Sequence, residues 1–398
     1  MISFLRPTTR WPVAEKGKSP FYPGQPVPKE LFVGRAAQIE RIITRGLGQS
    51  SLGKPVAMFV QGEYGIGKSS IASYVGSVGE ASHGAHVIHA MLGGAKDLND
   101  VGRAILQATV ESGAFEHTRT EKVRNWLAKY IGKQELFGVS LDLSALKADA
   151  PALATALGTL GFMREAIKRL EAKCIVLILD ELNGITSNAQ FSHFIKGLVD
   201  ENAISPNPVP LLLLLCGTEE RRREMIRQHQ PTDRIFDIVE IDLMSDNEMH
   251  EFFTKAFESA AFTVEDRALH SLCRYSAGFP KIMHVIGDAT FWFDKDGVIT
   301  WEDAMSGIVR AADDIGKKFV DQQIVSELRS ADYRSILDKV AVIRPTDKTF
   351  RKSELDPKLT ESEKRNFGNF IQKMKKLNVL KSGVEHGEYE FTMIMGAS

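Results

Sequence analysis

Two hydrophobic patterns alternate along the first two thirds of the chain. Continuous apolar runs at 56–60 (VAMFV), 174–179 (CIVLIL) and 209–216 (VPLLLLLC) have the length and composition of strands covered on both faces. Residues 86–91 predict a further strand, and the apolar–polar alternation over 237–243 predicts one with a single covered face. Between these runs, apolar residues recur every third or fourth position over 69–78, 98–112, 120–130, 151–172, 191–201 and 219–229, which predicts helices. A first helix carries Ile39, Ile42 and Ile43 on one face, and a shorter alternation occupies 135–143. Strands separated by helices imply right-handed crossovers and a parallel α/β sheet.

After Ser245 the strand pattern stops. Helical spacing over 246–260, 264–276 and 280–293 predicts an all-helical domain at 245–320, behind a core at 31–244. A third segment, 321–398, reads as helices at 326–342 and 362–377 followed by short strands around Gly383 and Gly387, the order of a winged-helix-like domain. Residues 1–30 carry Pro7, Pro12, Pro20, Pro23, Pro26 and Pro28, which remove backbone donors and favour an extended arm.

Composition adds exclusions. The chain has 398 residues, more than one hydrophobic core usually organises, so several domains are expected. Fifty Lys and Arg against 51 Asp and Glu leave a formal charge of −1, so contact with nucleic acid would have to come from a local patch. Cys174, Cys216 and Cys273 form no CxxC pair and read as free thiols of a reducing compartment. The N-terminus lacks the apolar stretch of a signal peptide, and no apolar run is long enough to span a bilayer, so a cytoplasmic protein without membrane contact is expected.

The candidate chemistry begins at Gly62-Glu63-Tyr64-Gly65-Ile66-Gly67-Lys68-Ser69, which matches G-x-x-x-x-G-K-[ST] and lies between an apolar strand and a helix. In such a P-loop, backbone N–H groups wrap phosphates at a helix N-terminus, with Ser70 in the first turn. Lys68 would reach the β- and γ-phosphates of ATP, and the Ser69 hydroxyl would ligate Mg2+. A second carboxylate site follows strand 174–179: Asp180 for the metal and Glu181 to take a proton from the attacking water. His83, His86 and His89 straddle a loop and a strand, where His86 and His89 would point differently, so they do not read as a metal site.

These motifs, in this order and with room for an extra central strand between Lys68 and Asp180, resemble the AAA+ P-loop ATPases. The likeness is to the branch of origin-recognition-like initiators, transposition ATPases and STAND switch proteins. It implies an ASCE-type parallel-sheet core, a helical lid and a winged helix. Carried over, Val33-Gly34-Arg35 resembles the adenine-side turn and Thr218 the polar sensor of the γ-phosphate, with helix capping as its other role. Arg234 stands where the family places an arginine finger that reaches a neighbouring subunit, with Arg221, Arg222 and Arg223 as competitors. Lys281, in Gly278-Phe279-Pro280-Lys281, replaces the arginine of the second sensor and lacks its planar fork. The stretch Lys364 to Lys381 is basic, with Asn366, Phe367, Phe370 and Met374 at helical spacing, and is a DNA contact or a solvated face flanked by acids. The resemblance implies an oligomeric ATPase coupled to DNA or to a separate effector protein, the alternative being a STAND-type signalling switch.

Overall fold

The apolar runs become five parallel strands: β1 (Val56–Gly62), β2 (Ala85–Met91), β3 (Cys174–Asp180), β4 (Leu211–Gly217) and β5 (Asp237–Ile241). The computed structural model describes residues 16–24, 32–112, 155–315, 330–343, 349–376, 379–383, 385 and 387–391. The helix expected at 120–130, the alternation at 135–143 and the starts of the helices expected from 151 and 326 lie outside the described residues. Within these limits the chain forms two compact units, residues 35–242 and residues 1–34 with 243–398.

In the first unit the sheet order is β2-β3-β4-β1-β5. All four pairings are parallel, and β4 stands between β1 and β3 as the additional central strand. Every residue of β3 and β4 is buried, which is why their sequences are continuously apolar; β5 at the edge keeps a mixed pattern. One face of the sheet packs Phe59, Ile88, Leu177, Leu179, Leu213 and Leu215 against helices α3 (Leu98–Glu111), α4 (Ala156–Leu170) and α5 (Ala189–Ile204). The opposite face meets α1 (Ala36–Arg41, continued by a π-helical stretch Ile42–Gly48) and α2 (Lys68–Val78). Close packing there excludes side chains: a Cβ on Gly76 would lie 3.0 Å from Val87. A further helix, α6 (Glu219–Gln228), follows β4.

The second unit contains α7 (Asp246–Ser259), α8 (Asp266–Ser276), α9 (Pro280–Phe293) and α10 (Trp301–Ile315). Strands do not stop here altogether, as the periodicity implied: Thr263–Val264 and Val298–Ile299, β6 and β7, form a two-residue parallel ladder. That ladder moves the start of α8 to Asp266, and α10 was not anticipated. Residues 16–24 of the arm pack within this unit. Phe21 is 3% exposed, among Phe252, Phe253, Phe257 and His284, and its ring occupies the space of a Gly287 side chain, whose Cβ would be 2.2 Å away. The Tyr22 N–H donates to His284 Nδ1 at 3.2 Å. Lys16 Nζ donates to the carbonyls of Phe291 and Asp294 at the C-terminal end of α9, where a cation complements the helix dipole.

Further along, α11 (Ala331–Ile343), β8 (Thr349–Arg351), α12 (Lys352–Leu355), α13 (Glu361–Lys376), β9 (Leu380–Ser382) and β10 (Glu388–Phe391) share a core of Ile336, Val340, Phe350, Phe367, Phe370 and Met374. The three strands form an antiparallel sheet in the order β8-β10-β9, so the first strand, too short to register as a pattern, joins the expected hairpin. Among the described residues no helix is long and apolar enough to cross a membrane.

Candidate functional site

The Gly62–Ser69 loop leaves β1 at the C-terminal edge of the sheet, where α/β proteins bind ligands. Its glycines are required by shape. Gly65 (φ 79°) and Gly67 (φ 98°) are left-handed, and a Cβ on Gly62 would lie 2.7 Å from the Ile241 carbonyl. Ile66 anchors the loop by burying its side chain. Gly67 provides no side-chain cap to α2, so the first N–H groups of an eleven-residue helix face the loop without one. Lys68 Nζ turns back on the loop and donates to the carbonyls of Gly62 and Glu63 at 2.9 and 2.8 Å. Burial lowers its pKa, against the opposing pull of Asp180 and Glu63. Glu63 and Tyr64 are exposed at the loop's crest, and Ser70 is half-buried in the first turn of α2.

Asp180 ends β3 and is 2% exposed. Burial alone would raise its pKa, but hydrogen bonds from His89, from the Ser69 hydroxyl and from the Glu181 N–H hold it below the ordinary carboxylate value. The hydroxyl of Ser69 and the carboxylate of Asp180 are therefore adjacent hard oxygen donors. Such a pair suits a magnesium ion, which takes few protein ligands and keeps several waters. Glu181 is exposed and adopts a left-handed backbone (φ 54°), its carbonyl accepting from Asn183 N–H at 2.6 Å. Gly93 gives its carboxylate room: a Cβ there would sit 2.3 Å from Glu181 Oε2. Gly93 was not identified from sequence, and His89 was considered there only as a metal ligand, because both reach the acids through the β2–β3 pairing. His86, on the other face of β2, bonds Ser112 Oγ through Nε2 at 3.1 Å.

Thr218 caps α6, its hydroxyl accepting the Arg221 N–H at 3.4 Å. The arginines of that helix are engaged within the unit: Arg221 with Glu224, Arg223 with Glu219, and Arg222 with both Asp233 and the Oε1 of Gln61, at 2.9 Å each. Arg234 ends the 3-10 turn Gln230–Arg234, is exposed, and has no ion pair recorded among the described residues. Arg35 is left-handed (φ 60°) and buried, donating through Nη2 to the Asp242 carbonyl at 3.3 Å.

Other members of the expected set belong to the second unit. Val33 is buried there, and Gly34 (φ 78°) leaves space for the Glu248 carboxylate, which caps α7. Lys281 occupies the first turn of α9, behind Pro280, and burial lowers its pKa. On α13, Lys364, Arg365, Asn369 and Gln372 are exposed, while Lys375 donates to Ser382 Oγ at 2.6 Å.

No protein-family model matches the sequence, and no curated protein matches it. Solved structures do. A Walker-type ATPase of Pyrococcus abyssi superposes with a TM-score of 0.56 at 14% identity, over 92% of this chain and 94% of that one. Cdc6p from Pyrobaculum aerophilum gives 0.48 at 10% identity over 94% and 93%, and the Aeropyrum pernix ORC1 protein, solved in complex with DNA, 0.46 at 12% over 92% and 90%. The first likeness, together with the strand order, gives the architecture: this chain has the α/β parallel-sheet fold of a P-loop ATPase.

Proposed function

We propose that the chain binds ATP with magnesium at Gly62–Ser69 and Asp180 and hydrolyses it with Glu181, as an AAA+ ATPase that oligomerises. The observation that carries this reading is a glycine-shaped loop into which Lys68 is turned, with the Ser69 hydroxyl beside the buried Asp180 carboxylate at the end of β3. Lys68 exchanges its two loop carbonyls for phosphate oxygens, a stronger charge-assisted partner. The backbone N–H groups of Gly65 to Ser70 hold the remaining phosphate charge. Ser69 and Asp180 would hold magnesium, which would neutralise charge on the phosphate oxygens. Glu181 accepts the proton of the attacking water, and Thr218 uses its hydroxyl proton on the γ-phosphate while continuing to accept from Arg221. By the family resemblance, Val33, Gly34 and Arg35 carry the adenine-side role and Lys281 the role of second sensor.

Arg234 is the finger presented to a neighbouring copy. Its exposure supports this, because Arg221, Arg222 and Arg223 are held by partners of their own unit. The helix–strand–helix–helix–strand–strand order of 331–391 supports a winged helix, with α13 as the element that enters a DNA groove. Arg365, Asn369 and Gln372 are exposed at i, i+4 and i+7, one stripe of side chains able to pair with base edges. A STAND-type switch that turns over slowly is the second reading, favoured by Lys281, whose point charge replaces a fork.

The test is phosphate release per chain as a function of protein concentration, with and without duplex DNA. The proposal expects specific activity to rise with concentration, to respond to the duplex, and to collapse in Arg234→Ala. A specific activity independent of concentration and indifferent to DNA overturns the oligomeric reading and favours the switch.

A further inference from the structure

His89 has no role in the nucleotide reading so far. It stands on β2 in register with Ile178 of β3, and because residues two apart on a strand share a face, it lies on the same side of the sheet as Asp180. Its Nε2 is 3.3 Å from Asp180 Oδ2, and its Nδ1 is 3.4 Å from Ser73 Oγ on α2, the helix that the loop feeds. The chain of groups fixes the ring's proton on Nε2: the Ser73 hydroxyl donates to Nδ1, and Nε2–H donates to the carboxylate. Asp180 Oδ1 is taken from the other side by the Glu181 N–H at 2.7 Å. Each carboxylate oxygen thus has one N–H donor, and the Ser69 hydroxyl lies against the same carboxylate.

We propose that His89 is a positioning residue that holds the plane of the Asp180 carboxylate for the metal, with Ser73 holding the ring in turn. The proposal rests on the nucleotide site described above. The last torsion of an aspartate is broad and nearly two-fold, so one donor on Oδ1 leaves the group free to rock about that bond. A second donor on Oδ2, carried by a ring wedged between strand and helix, removes that freedom before any ligand arrives. Outer partners of this kind are worth about 10–100-fold in metal affinity.

The experiment uses the full chain and a fluorescent ATP analogue, and reads the Mg2+ concentration that gives half-maximal binding. His89→Ala is expected to raise that concentration by about 10–100-fold while leaving affinity for the metal-free nucleotide within about twofold of the parent. His89→Gln, whose amide N–H reaches the same carboxylate, recovers most of the loss, and Ser73→Ala moves the midpoint the same way by less. An unchanged Mg2+ midpoint in His89→Ala, or an equal loss of metal-free affinity, overturns the positioning role. If the parent fails to bind the analogue, or Lys68→Ala binds it undiminished, the nucleotide site itself is wrong and the proposal falls with it.

Discussion

Glu181 combines an exposed carboxylate with a left-handed backbone, a conformation that costs a residue with a side chain about 1–3 kcal/mol and that concentrates at functional sites. The turn is what sends Asp180 and Glu181 in different directions, one buried beside Ser69 and one outward under Gly93. Glu181→Gln preserves the shape and removes the base, so ATP analogue binding should be retained while phosphate release falls by about 10²–10⁴-fold. Unchanged release would remove Glu181 from the reaction. The residues of this site legible in sequence, Gly62–Ser69 and Asp180–Glu181, are those whose chemistry is written in consecutive positions. His89 and Gly93 were not, since nothing local reveals that β2 pairs with β3 so that Met91 aligns with Asp180.

At the scale of elements, the strands were legible because burial on both faces forces an unbroken apolar sequence, whereas β6, β7 and β8 are too short to carry a period. The arm shows a different limit. Phe21 is one of two aromatics between Pro20 and Pro23, without repeat, yet it fills a site built by α7 and α9. Phe21→Ala should destabilise the helical unit by about 3–5 kcal/mol in urea denaturation, the range for emptying a buried aromatic site. Gly287→Ala, which drives a methyl into that ring, should also destabilise, but much less when Phe21 is already alanine; strictly additive effects would contradict the packing. On α13, Glu363 accepts from Lys339 Nζ and from the Thr360 N–H, and these bonds pull its pKa from 4.5 to about 2. A depressed carboxylate contributes stability that is complete above pH 4.5 and disappears as pH falls toward 2. Glu363→Gln should therefore flatten acid denaturation of this segment within that window, as followed by circular dichroism.

For the molecule as a whole, balanced charge provides no long-range pull toward DNA, so any duplex contact depends on the exposed stripe of α13. The proposed finger is likewise a property of the assembly. If Arg234 completes a neighbour's site, its loss should lower turnover at high protein concentration by about 10³–10⁵-fold and have little effect at dilutions where chains are single. The change from alternating strands and helices to mainly helices after Ser245 was legible in the sequence; the return of the arm to the helical unit was not, because it links parts of the chain that share no local signal.

That return orders events during synthesis. Tyr22 and its partner His284 are 262 positions apart, and a ribosome adding about 5–20 residues per second needs roughly 13–50 s to cover that distance. For most of that interval the sheet-bearing unit emerges and can fold, while α7 and α9, the helices that cover Phe21, are not yet made. Residues 16–24 are thus made long before the helices that give them their place.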